Sequence, residues 1–178
     1  DARKEVDALL NDGTVILNGD IVDMSCCPKG DVKKLREYQK QLMKKWGSFY
    51  LRGNHDLLPD GFGVKIIGKT LLTHGHLVGD KERVAKWVKY EQKTAGAGRL
   101  KLMWVDFADD LDWIKGKRPM HADSVEASVK LAKKHGCTEV ILGHMHPLKE
   151  LSEIHDGVTV RCLPKGFNHI EIIGTDDL

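Results

Sequence analysis

The sequence predicts a layered α/β fold, and three observations carry that prediction. Short β-prone runs alternate with longer segments of helical periodicity. The runs are apolar at consecutive positions, the pattern of strands buried on both faces. Four of them end on a polar residue beside a glycine, as strands do where an α/β sheet presents a ligand crevice. Residues 3–10 read as a helix with Val6, Leu9 and Leu10 on one face, stopped by Asn11-Asp12-Gly13. Thr14–Leu17 comes next as a buried strand. Asp31 can cap a helix over 32–46, whose inner stripe is Val32, Leu35, Leu42 and Trp46; Gly47 ends it. Ser48–Leu51 is the next strand. Val64–Ile67 and Thr70–Thr73, joined by Gly68-Lys69, form a hairpin. A helix over 81–93 turns Val84, Trp87 and Val88 inward. Asp123 and Glu126 make a capping box for a helix ending at Gly136, with Val125, Val129 and Ala132 on one face. Glu139–Leu142 is a strand, and 157–162 and 169–173 are β-like runs separated by turns. Residues 94–120 are assigned to no element.

Composition sets the class. The 178 residues are 41% apolar and 30% charged, the balance of a soluble globular chain. That length suits one domain, 1–178, with 77–120 as a cap or specificity region inside it. The net charge of +2 makes non-specific nucleic-acid binding a secondary option. No apolar run approaches the ~18 residues of a membrane span. The chain opens on the charged segment DARKEVDALL without a signal-peptide pattern. Cys26, Cys27, Cys137 and Cys162 lack a CxxC spacing and read as reduced thiols, which predicts a cytoplasmic protein. No reading fixes the oligomeric state.

The chemistry lies in the residues at the ends of the apolar runs. TVIL leads into Asn18-Gly19-Asp20-Ile21-Val22-Asp23, and FYL into Arg52-Gly53-Asn54-His55-Asp56. LLT leads into His74-Gly75-His76, and EVIL into Gly143-His144-Met145-His146. Carboxylate, amide oxygen and imidazole gathered at one sheet edge suit a borderline-hard divalent ion such as Mn, Fe, Co, Ni or Zn. The set holds no thiolate, which argues against a structural zinc site.

Other features have plainer readings. Gly63-Val64-Lys65-Ile66-Ile67-Gly68-Lys69-Thr70 fits the expression G-x4-G-K-[ST]. A P-loop needs a flexible loop ahead of a helix, and here β-prone residues flank a tight turn. Lys33, Lys34, Arg36, Lys40, Lys44 and Lys45 lie opposite an apolar stripe and read as a solvated face. The vicinal Cys26 and Cys27 read as small apolar filler. His121, His135, His155 and His169 show no partner pattern.

GDIVD, GNHD, HGH and GHMH, in that order, resemble the motifs of the calcineurin-like metallophosphoesterases, over about residues 3–173. The similarity is greatest to small bacterial and phage members and to the UDP-diacylglucosamine pyrophosphatase type. The resemblance implies a four-layer α-β-β-α sandwich, with two mixed sheets packed face to face and helices outside. It implies a dinuclear site of two divalent ions, Mn²⁺ first, with Fe, Zn, Ni or Co as alternatives. Asp20 would bridge the ions, Asn54, His74 and His144 would complete one site, and His146 would serve the other. His55 would contact the phosphate and protonate the leaving oxygen, with Asp56 assigned beside it to the catalytic group. Asp56 and Asp23 would orient His55 and the ligands. His76 reads from its position as a group that orients the ligands or faces the substrate, or as plain loop. The reaction implied is hydrolysis of a phosphoester or phosphoanhydride bond in a phosphorylated small-molecule or nucleotide-type substrate. Two rivals are a binding or scaffold module of the same fold and a single-strand nuclease; the near-neutral charge opposes the second.

One departure stands out. The family pattern opens with Asp-x-His, and no Asp-x-His occurs in this sequence. Asp1-Ala2-Arg3 has Arg where His is required and lies too close to Asp20 for a strand and helix between. The reading is that the first strand and its motif precede the given sequence, a natural one-metal variant being the alternative. In either case Asp20, Asn54, His74 and His144 should still bind an ion.

Overall fold

The computed structural model describes residues 16–21, 31–46, 49–56, 61–79, 81–94, 119–145, 147 and 149–164. Strand β1 (Ile16–Asn18) pairs parallel with β2 (Phe49–Leu51), and helix α1 (Val32–Trp46) connects them in sequence. Among the described residues the second sheet has five strands: β3 (Lys65–Ile67), β4 (Thr70–Thr73), β5 (Glu139–Leu142), β6 (Leu151–His155) and β7 (Val158–Cys162). Their spatial order is β3-β4-β5-β7-β6. The central strands β4, β5 and β7 run parallel, and β3 and β6 are antiparallel additions at either side. Helices α2 (Lys81–Thr94) and α3 (Pro119–Lys134) lie in sequence between β4 and β5.

Strand alternation sorts the apolar side chains into three clusters, and the clusters define the layers. Leu17 and Tyr50 face Met43 of α1. The opposite face of the same strands offers Ile16 and Leu51, which pack with Ile67, Leu72 and Ile141 of the larger sheet and with Leu163. The far face of the larger sheet offers Leu71, Val140, Leu142, Val158 and Val160, which pack on Val129 and Ala132 of α3. Helix, sheet, sheet and helix therefore succeed one another, as expected. Leu51, Leu71, Val140 and Ile141 are fully buried, and each such side chain contributes about 2 kcal/mol of transfer free energy.

The hairpin over 64–73 forms as predicted, with Gly68-Lys69 at its turn, so the P-loop expression there is coincidental. One expectation is corrected and one element was not predicted. Helix α3 begins at Pro119, upstream of the proposed cap at Asp123; proline suits a first turn, where its missing N–H has no partner to lose. Strand β6 has no counterpart among the predicted elements. Among the described residues it pairs with β7 at one side of the sheet, and its residues are mostly exposed, so it lacks the apolar run that marks a buried strand. The predicted helix at 3–10, the strand residues Thr14 and Val15, and the run at 169–173 lie outside the described residues.

Candidate metal centre

Asp20, Asn54, His74 and His144 each sit just past the carboxyl end of a strand. Past β1, the chain turns through Gly19 (φ +80°) into Asp20, itself left-handed at φ +51°. The Gly19 turn brings the backbone against His74, and a Cβ on Gly19 would lie 2.4 Å from His74 Nδ1. Past β2 come Gly53, Asn54, His55 and Asp56. Past β4, Thr73 is fully buried; its hydroxyl donates to the Gly63 carbonyl at 2.7 Å and accepts from the Gly75 amide at 3.1 Å. The β4–β5 pairing continues beyond the strands, since the His144 amide donates to the His74 carbonyl at 2.9 Å. That ladder sets the two imidazoles side by side, with ring centroids 5.1 Å apart.

Four atoms with lone pairs converge there. His74 Nδ1 lies 2.9 Å from the Asn18 carbonyl oxygen. A carbonyl only accepts, so Nδ1 carries the proton and Nε2 of the neutral ring carries the lone pair. That Nε2 lies 3.1 Å from Asn54 Oδ1, 3.2 Å from Asp20 Oδ2 and 3.3 Å from His144 Nδ1. A single proton on Nε2 can serve one of these acceptors at a time, whereas one divalent cation can accept from all four. Ligand atoms of Asp20, His74 and His144 fall within 4.8 Å of one another. Nitrogen and oxygen donors with one negative charge fit a borderline-hard divalent ion.

The surroundings tune these groups. Burial works to raise the pKa of Asp20, but the hydrogen bond and charge of His74, with the His55 amide, hold it well below the usual carboxylate range. Burial works to lower the pKa of His74, and the Asp20 hydrogen bond and charge override it to give a net rise.

A family model described as calcineurin-like phosphoesterase matches residues 2–148. The chain belongs to this family. Membership implies a metal-dependent hydrolase acting on phosphoester bonds, and hence phosphorylated substrates. None of the curated proteins compared with the chain is a significant match. No helix among the described residues is long and apolar enough to cross a membrane.

Against this family background, the structure brings Asp20, Asn54, His74 and His144 together. His55 joins them through its backbone, its amide donating to Asp20 Oδ1 at 2.9 Å, while its side chain stays partly exposed. Asp56 lies behind the loops, where its carboxylate accepts from the amides of Asp20 (2.8 Å), Ile21 (2.9 Å) and Gly53 (2.8 Å). His76 is fully buried, with its ring edge-on to His74 at 5.4 Å and tilted against His144 at 6.4 Å. Asp23 and His146 lie outside the described residues.

Sequence reasoning missed Gln39. It is fully buried, and its Nε2 donates to Asp56 Oδ1 at 3.0 Å. The signal was available: Gln39 occupies the middle of the stripe Val32, Leu35, Leu42 and Trp46, at the 3–4 spacing of an inward face.

Proposed function

We propose that this chain is a single-domain, cytoplasmic phosphoesterase with a dinuclear, manganese-loaded site that hydrolyses a phosphoester or phosphoanhydride bond. The observation that carries the reading is the convergence of Asp20, Asn54, His74 and His144 from four strand ends on one cation-sized cluster. Divalent ions, when bound, lower the pKa of water toward neutrality and offset charge on the phosphoryl oxygens. Asp20, Asn54, His74 and His144 would hold one ion, and His146 is assigned to the other. Asn18 fixes the His74 tautomer through its carbonyl oxygen. His55, adjacent to the cluster and partly exposed, delivers the proton to the leaving oxygen. Asp56 keeps the loops of Asp20 and Asn54 in register, and Asp23 and His76 orient the ligands. Substrate selection is assigned to 77–120, where Gly79, Lys81, Val84, Ala85, Val88 and Lys89 line a hollow of about 630 Å³. Free thiols at Cys137 and Cys162 favour a reducing compartment.

The test is Mn²⁺-dependent hydrolysis of bis(p-nitrophenyl) phosphate and p-nitrophenyl phosphate. Asp20→Asn should reduce turnover to background and weaken Mn²⁺ binding. His55→Ala should keep Mn²⁺ binding and lose about 10²–10⁴-fold in turnover, the usual worth of a general acid. Full Mn²⁺-dependent turnover in Asp20→Asn would end the reading. Loss of the metal in His55→Ala with its rate retained would overturn the assigned roles.

A further inference from the structure

We propose that Gln39, which belongs to helix α1 and to none of the four motifs, is a positioning residue for the metal-binding loops, acting through Asp56. The inference rests on the functional reading above only in taking the cluster at Asp20 as the metal centre. On α1, Tyr38 and Lys40 are exposed on either side of Gln39, yet Gln39 itself is fully buried. A buried carboxamide left without partners is destabilising, so its position calls for bonds that offset the burial. It has them. Its nitrogen reaches Asp56 Oδ1 at 3.0 Å and Tyr50 Oη at 3.2 Å. The amide is oriented by chemistry, since an ionised carboxylate only accepts and must meet the nitrogen. Burial and the nearby Asp56 carboxylate push the Tyr50 hydroxyl above its usual range, which keeps it a neutral partner.

Asp56 then passes the constraint to both loops. Its Oδ2 takes the amides of Asp20 and Gly53, and its Oδ1 takes the amide of Ile21. One carboxylate thus ties the left-handed turn at Asp20 to the turn that presents Asn54 and His55. Gln39 fixes where that carboxylate sits relative to α1. Without it, Asp56 keeps the three amides but loses this tie to α1, and the loops of Asp20 and Asn54 are held less tightly against the helix.

The experiment is calorimetric titration of Mn²⁺ into the full chain and into Gln39→Met, which keeps the volume and removes both donors. The expected result is a Kd about ten-fold weaker, the lower end for groups that orient metal ligands, with the far-UV spectrum unchanged. In the Asp56→Asn background, Gln39→Met should add nothing further, because both act through one contact. A wild-type Kd in Gln39→Met with only a lower melting temperature would overturn the proposal, as would effects that multiply in the double variant. Should Gln39→Met fail to fold, Gln39→Glu is read by the same criteria; it keeps the shape and sets a second carboxylate against Asp56. Wild-type protein that binds Mn²⁺ but hydrolyses no phosphoester ends the enzymatic reading and leaves the Gln39 result standing. Wild-type protein that binds no Mn²⁺ overturns both.

Discussion

At Gly19 a backbone choice decides whether a side chain can work. Its φ of +80° is already unfavourable for any residue with a Cβ, and that Cβ would meet the His74 ring at 2.4–2.6 Å and the Gly53 Cα at 2.8 Å. The ring cannot retreat without leaving the Asn18 carbonyl that sets its tautomer. Gly19→Ala should therefore cost about 2 kcal/mol in backbone strain alone and abolish Mn²⁺ binding. Urea denaturation run in parallel with calorimetric titration checks both. Unchanged Mn²⁺ affinity would show that the close approach at Gly19 does not set the His74 position. Asp20, Asn54, His74 and His144 were legible in the sequence because each comes after an apolar run and a sheet edge gathers such ends. The hydrogen bonds of Asp56 were not legible, because a carboxylate that serves backbone amides looks in sequence like any other carboxylate.

Elements were legible to the extent that their own residues carry the signal. The buried strands β4 and β5 are apolar on both faces and announce themselves. Among the described residues, strand β6 draws its order from β7 and carries no apolar run to read; at α3 the signal was present, a proline suited to a first turn, but the Asp123–Glu126 pair was the stronger pattern. The end of α3 is local, and the glycine predicted to stop it does so. Gly136 stands at φ +69°, its amide donates to the Lys133 carbonyl at 3.2 Å, and the Cys137 amide donates to the Ala132 carbonyl at 2.9 Å. Those two bonds make a Schellman cap. A Cβ on Gly136 would touch nothing within 4 Å, so Gly136→Ala isolates the backbone term. It should cost about 1 kcal/mol and leave Mn²⁺ affinity as it is, in contrast to Gly19→Ala. A midpoint in urea equal to wild type would argue that the helix end re-forms without the left-handed residue.

Across the whole molecule, the candidate ligands come from both sheets. Asp20 and Asn54 lie past β1 and β2 of the smaller sheet, while His74 and His144 lie past β4 and β5 of the larger one. Among the described residues the sheets also meet through the apolar contacts of Ile16, Leu51, Ile67, Leu72, Ile141 and Leu163 and through the His74–Asn18 hydrogen bond. The layer order was expected from the family motifs alone; periodicity gave the elements but could not say which faces meet, because that depends on contacts distant in sequence. An ion at the cluster would be a further tie between the sheets, and a ligand bound only by the folded state stabilises that state by RT ln(1 + [L]/Kd). At a free Mn²⁺ concentration of about 100 times Kd that amounts to roughly 2.7 kcal/mol, or a rise of about 5–10 °C in Tm for a chain of this size. Scanning calorimetry with and without Mn²⁺ should show the rise, EDTA should reverse it, and Asp20→Asn should lack it. Hydrogen exchange separates this from a local effect. Added protection should reach the amides of β1 and β2 as well as those of β4 and β5, since the tie holds one sheet against the other. Protection confined to β4 and β5 would mean that the ion sits on the two histidines alone, and that Asp20 and Asn54 do not hold it.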